Sequence, residues 1–174
     1  LQQLFQEGEI REAINISDET ISAIREAAKY LIPLLKEQIN ELKGDSSDFR
    51  RAFNLWKINE SSTLKILATS SRRVEVVEPE EVLAKFTYYK FIGKIIFYLT
   101  LAENLSGKVE KLELIENEDI KEQLNDFFSQ AQKIDYQAVF EADFTDDIDY
   151  NLDTLSDTPL VKGEEFITFQ HSSI

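Results

Sequence analysis

The residues whose types and spacing could do chemistry fall in four places. Asp147-Ile-Asp149-Tyr-Asn151-Leu-Asp153 lies in the densest acidic stretch and places oxygens at alternating positions, as the first three ligand positions of a calcium loop do. Such a loop needs Gly at its sixth position for the sharp turn and a bidentate Glu at its twelfth, where this chain has Leu152 and Thr158. A solvated acidic arm whose apolar residues pack down fits the alternation better. Glu41-Leu-Lys43 has the Glu-x-Lys spacing that metal-dependent nucleases set on a strand. Here it ends a helical pattern, so carboxylate and amine are expected to diverge. His171 is the sole histidine and lies near the end of the sequence; a triad or a metal site would need it in a formed pocket, and in a tail it is expected to be inert. The fourth place is the pair of basic dipeptides Arg50-Arg51 and Arg72-Arg73, which supply the local positive charge that phosphate contacts need. Arg50, Arg51, Arg72 and Arg73 are therefore the candidate DNA-contacting residues. No catalytic, cofactor-binding or metal-ligating residue is assigned.

Composition narrows the field further. With 33 acidic residues against 19 basic, the formal net charge is −14, and Ile134–Val161 holds eight acids and no base. Binding to a nucleic acid or an anionic membrane calls for clustered Lys and Arg, so this segment is not expected to bind either on its own. The absence of Cys excludes disulfides and cysteine chemistry, and no Gly-rich phosphate loop occurs, since the five glycines are isolated. LQQLFQEGEIREA has no basic region followed by an apolar run, so no secretion signal is visible and a cytoplasmic location is expected. The sequence starts at Leu1 and contains no Met, the pattern of a piece cut from a longer protein.

The elements that must position these residues are helical. Ser17 is an N-cap signal, and Ile21, Ile24, Ala28, Leu31, Leu35, Ile39 and Leu42 follow at helical spacing to a C-cap at Gly44. Pro33 should kink or split that helix. A second cap signal in Asp45–Ser47 precedes a short helix with Phe49, Phe53 and Trp56 on one stripe, and Asn59–Arg73 reads as a short helix between loops. Pro79 suits a first helical position, with Glu80 and Glu81 in the first turn. The helix it opens runs to about Asn104 and is apolar and aromatic, with Lys85, Lys90 and Lys94 marking a narrow polar side. Those lysines argue against a membrane span, and the lack of interleaved bases argues against a base-stacking platform. A buried core helix is expected, with Gly93 admitting a close neighbour. KVEKLELIE is a connector, Asn117 can cap a helix bearing Ile120, Leu124, Phe127, Phe128 and Ala131, and a last turn holds Val139 and Phe140. From Asp143 alternation replaces helical spacing. The expected fold is mainly α: an irregular bundle of about five helices over 1–142, then an acidic extended arm or the start of a linker over 143–174.

Three stretches in this order, DFRRAFNLWKINES, FTYYKFIGKIIFYLTLAENL and LNDFFSQA leading into IDYQAVFEAD, carry a family resemblance. The chain over roughly Phe49–Asp149 resembles the helical region that precedes the catalytic domain in adenine-specific DNA methyltransferases of type II restriction–modification systems. The family's Gly-rich S-adenosylmethionine loop and Asn-Pro-Pro-Tyr tetrapeptide do not occur here, so no catalytic residue carries over. The resemblance implies a non-catalytic scaffold or connector whose partner is the methyltransferase domain of the parent protein. S-adenosylmethionine would then belong to that domain and DNA would be met weakly or through other domains. The alternative is an acidic helical protein-interaction module, with Ile134–Val161 imitating the charge of DNA.

Overall fold

The computed structural model describes residues 18–64, 78–105, 107–112, 120–134 and 136–148. Among them the chain is mainly α and has no strand. Helix α1 is Asp18–Asp45, α2 is Ser47–Asn59, α3 is Pro79–Asn104, α4 is Ile120–Lys133 and α5 is Gln137–Phe140, followed by a 3-10 turn at Phe144–Asp147. The described residues form two compact units, one of residues 18–27 and 92–141 and the other of 28–91 and 142–148. Arg72, Arg73, Asn117, Asp149, Asn151, Asp153, Thr158, His171 and the acidic arm from 149 onward lie outside the described residues.

Local rules set most helix boundaries. Ser46 has extended backbone (φ −112, ψ 118), and its hydroxyl accepts the Phe49 N–H at 3.1 Å, which caps α2. Pro79 is the first residue of α3, where a missing N–H costs nothing, and Glu78 O accepts from Glu81 N and Val82 N at 3.1 and 3.2 Å. Two expectations are corrected here. Helix α1 is not split at Pro33, because the turns on either side bury Leu31, Leu35 and Ile39 and that burial outweighs one lost backbone bond. Gly44 is not a left-handed cap; the helix continues to Asp45, and of the described glycines Gly107 alone has positive φ, at 90°.

Helix α3 departs from expectation in its faces. Successive residues turn by 100°, which sets Lys85 about 140° from Lys90 around the axis, so the three lysines cannot share one side. Lys85 is exposed, Lys90 half-buried and Lys94 buried. The outward arc carries Phe86 and Tyr89, both 53% exposed, and Gly93, where an added Cβ would meet nothing within 4 Å. Gly93 therefore receives no close neighbour. The buried arc carries Leu83, Ala84, Tyr88, Phe91 and Ile92, then Tyr98 and Leu101 further along. No described helix is long and apolar enough to cross a membrane.

The described start of the 143–174 segment is a 3-10 turn and not extended chain. Residues 143–148 pack within the second unit, where Ile148 and Thr145 are fully buried. The reason is local. Asp143 and Asp146 form a reciprocal capping box that closes the turn, and its curl puts Thr145 and Ile148 on one side.

Candidate functional site

Two side-chain clusters stand out, one in each unit. The first is aromatic. Tyr98 of α3 lies within ring-contact distance of Phe127 (5.6 Å), Phe128 (6.2 Å) and Phe140 (6.4 Å), and Phe128 and Phe140 are themselves 5.1 Å apart. Phe97, the next residue, meets Tyr136 at 5.4 Å and Phe140 at 5.9 Å. Most of these pairs are tilted or edge-on, the arrangement the ring quadrupole favours. The buried phenol is satisfied, since Tyr98 OH donates to Glu110 O at 2.9 Å. The Gln130 amide then clamps the same connector, its Oε1 accepting Glu110 N–H at 3.0 Å and its Nε2 donating to Glu110 Oε2 at 2.9 Å. Burial, with help from Glu110, pushes the Tyr98 phenol up to about 12. Gln132 Nε2 donates to Phe140 O at 2.7 Å, which ties α5 back onto α4.

Two of the three sequence stretches compared above meet in this cluster. The helix of FTYYKFIGKIIFYLTLAENL supplies Phe97 and Tyr98, the Phe pair supplies Phe127 and Phe128, and DYQAVF supplies Tyr136 and Phe140. Every one of these side chains packs or bonds to another protein group. Tyr98, Phe128 and Phe140 are buried, and Phe97, Phe127 and Tyr136 are half-buried.

The second cluster is charged and belongs to the other unit. Lys36 pairs with Glu78, Lys43 with Glu80, and Lys85 with Glu81. Lys43 also sits over the Phe53 ring at 4.8 Å, and Lys57 lies 5.7 Å from the same ring, so two cations share one buried aromatic. Burial raises the Glu80 carboxyl, but Lys43, the helix backbone and Lys57 together outweigh it and hold the group below the usual carboxylate range. Glu81 is held low by the Lys85 hydrogen bond against a smaller burial effect. Lys90 Nζ is 2.8 Å from Asp143 Oδ2 and donates to Thr145 Oγ1 at 3.2 Å. For Asp143 burial again acts upward and is outweighed by the bonds from Lys90 and Thr145, so its carboxyl also lies low.

Of the candidate DNA contacts, Arg50 and Arg51 are described and Arg72 and Arg73 are not. Arg50 is committed to the fold. Its Nε donates to Lys43 O at 2.6 Å and its Nη2 to Gly44 O at 2.8 Å, capping the carbonyl end of α1. Arg51 is exposed, on the same side of α2 as Leu55, 55% exposed, and Ile58, 68% exposed. The Glu41-Leu-Lys43 triplet behaves as a charged helix end, with Lys43 turned to Glu80 and Glu41 in solvent. No group of three or more His, Cys, Asp or Glu among the described residues is placed to hold a metal ion.

Two arrangements were missed at the level of sequence. The Asp143-x-x-Asp146 spacing is a legible capping signal for the 3-10 turn, obscured by the alternation that follows it. The Arg50 cap has no such signature, because the donor comes from the next helix. Comparison of the chain with protein-family models, with curated proteins and with solved structures returns no match.

Proposed function

We propose that this chain is a non-catalytic helical scaffold, a connector domain of an adenine-specific DNA methyltransferase or restriction–modification enzyme. The observation that carries the reading is the aromatic cluster on Tyr98, which joins two of the three stretches resembling that family into one packed element. Side chains so engaged brace a fold and are not free to transfer groups. In this role S-adenosylmethionine and the flipped base are held by the methyltransferase domain, and this chain contributes rigidity to it. DNA contact by the chain itself would come from Arg50, Arg51, Arg72 and Arg73, of which Arg50 also caps α1. The test is Tyr98→Ala in the gene product that carries the chain. It should lower the melting temperature of the enzyme and its adenine methylation, while S-adenosylmethionine affinity of the folded fraction is unchanged. A gene product without a Gly-rich strand-turn-helix and an Asn-Pro-Pro-Tyr motif overturns the assignment.

A second reading rests on different residues. Leu55 and Ile58 on α2, and Phe86 and Tyr89 on α3, are large apolar side chains more than half exposed on a chain of net charge −14. They suit an acidic interaction module that captures a partner protein, with DNA mimicry as its sharpest form. Pull-downs at low and moderate salt separate the readings: salt-sensitive capture of a basic nucleic-acid-binding protein favours the module.

A further inference from the structure

Residues 142–148 are the last part of the ion-paired unit in sequence, and the whole of 92–141 separates them from the rest of it. The turn touches that unit through a carboxylate and a ring. Asp143 reaches Lys90 of α3, and the Phe144 ring lies 5.7 Å from Phe49 of α2. Ile148, four residues beyond the ring, has no exposed surface. The shape of the turn, by contrast, is held by its own atoms. Asp143 Oδ1 accepts Thr145 N–H at 2.8 Å, Asp143 N donates to Asp146 Oδ2 at 2.6 Å, and Ile148 N donates to Thr145 O at 3.2 Å. A segment that fixes its own conformation loses little entropy on docking, so its covalent connection is not what makes it fit.

We propose that residues 143–148 are an internal ligand. The surface made by Phe49 of α2 and Lys90 of α3 is a peptide-binding site that also accepts such a segment from a partner protein, displacing the chain's own. The partner segment carries a carboxylate, an aromatic ring next to it, and a branched aliphatic side chain four residues after the ring. Lys90 selects the carboxylate, since a neutral side chain there would leave a half-buried ammonium without its counter-charge. Phe49, itself fully buried, selects the ring. The tethered copy competes at an effective concentration on the order of millimolar, so the site is closed at rest and opens only to a ligand that outcompetes it.

The probe is a fluorescently labelled peptide with blocked ends, of the sequence 141–150, titrated against the full chain by anisotropy. A Phe144→Ala, Ile148→Asp double variant, which loosens the resident segment, should bind the peptide at least tenfold more tightly than the unaltered chain. A peptide carrying Asp143→Asn should lose that gain. Equal affinity for the two proteins, or no binding by a variant that keeps its helical circular dichroism, overturns the proposal. If the variant does not fold, hydrogen exchange on the unaltered chain decides. The Thr145 and Ile148 amides should then open at least tenfold more often than the Phe53 amide of α2, and equal protection shows that the turn never leaves short of global unfolding.

Discussion

The two units of this chain are both built on buried apolar side chains, and they differ in what is added to that base. Around Tyr98, rings pack on rings, with one phenol and one amide tying down a connector. Around Lys43 and Lys90, ion pairs are laid over a base that buries Phe49, Phe53, Leu83 and Tyr88. Dispersion and apolar burial act at short range and carry no titrating charge. Half-exposed ion pairs contribute little singly and depend on pH and salt. The ring contacts of one unit are therefore insensitive to pH, and the ion pairs of the other can be weakened by solution conditions.

The largest expected effect that sharpens this contrast is Tyr98→Ala. Removing the ring empties the centre of the cluster and should cost about 3–5 kcal/mol in denaturant unfolding, the range for buried aromatic truncations. Lys90→Ala, at the centre of the other cluster, should cost only about 1 kcal/mol, because its partners remain partly solvated. Comparable losses for the two would erase the distinction drawn here.

A smaller effect isolates the phenol. Tyr98→Phe keeps the ring and removes one hydrogen bond, which should cost about 0.5–1.5 kcal/mol. The phenol is raised in the folded state, so its contribution is complete below the unfolded value of about 10. It is lost as pH rises towards the folded value of about 12. Ultraviolet difference spectra should show a late tyrosinate step that Tyr98→Phe removes.

The carboxylates of the other unit work in the opposite sense. Glu80, Glu81 and Asp143 are all held low in the folded state. Their contribution is complete above the ordinary carboxylate value of about 4 and is lost as pH falls through their lowered values. Trp56 is the sole tryptophan and belongs to that unit, so its fluorescence should change on acidification. The late tyrosinate step and the acid-sensitive tryptophan should respond to opposite ends of the pH scale. The smallest effect has the opposite sign: Gly93→Ala, at an exposed helical site with room for a methyl group, should stabilise the chain by about 0.5–1 kcal/mol.

What could be read from sequence follows the same division. The caps at Ser46 and Pro79 rest on rules that act over three or four residues, and they appear where the residue types place them. The helical stripe of Phe49 and Phe53 is legible for the same reason, since only one face of α2 is aromatic. Helix α3 is apolar nearly all round, so its pattern alone does not reveal that Tyr98 faces the core and Tyr89 the solvent. Helix α1 continues past Pro33 because its buried stripe extends on both sides, and Arg50 closes the end of that helix from the next one, a contact no local pattern announces. The proposed methyltransferase context rests on the order of three stretches and on the way two of them pack, which is a statement about shape and not chemistry.

The most direct test of the proposal that this chain scaffolds a DNA methyltransferase and performs none of its chemistry is a methyl-transfer assay. Labelled S-adenosylmethionine and DNA are incubated with the gene product that carries the chain and, separately, with the chain alone. Label should appear on adenine with the former and not with the latter. No transfer by the full gene product, or transfer by this chain unaided, contradicts it.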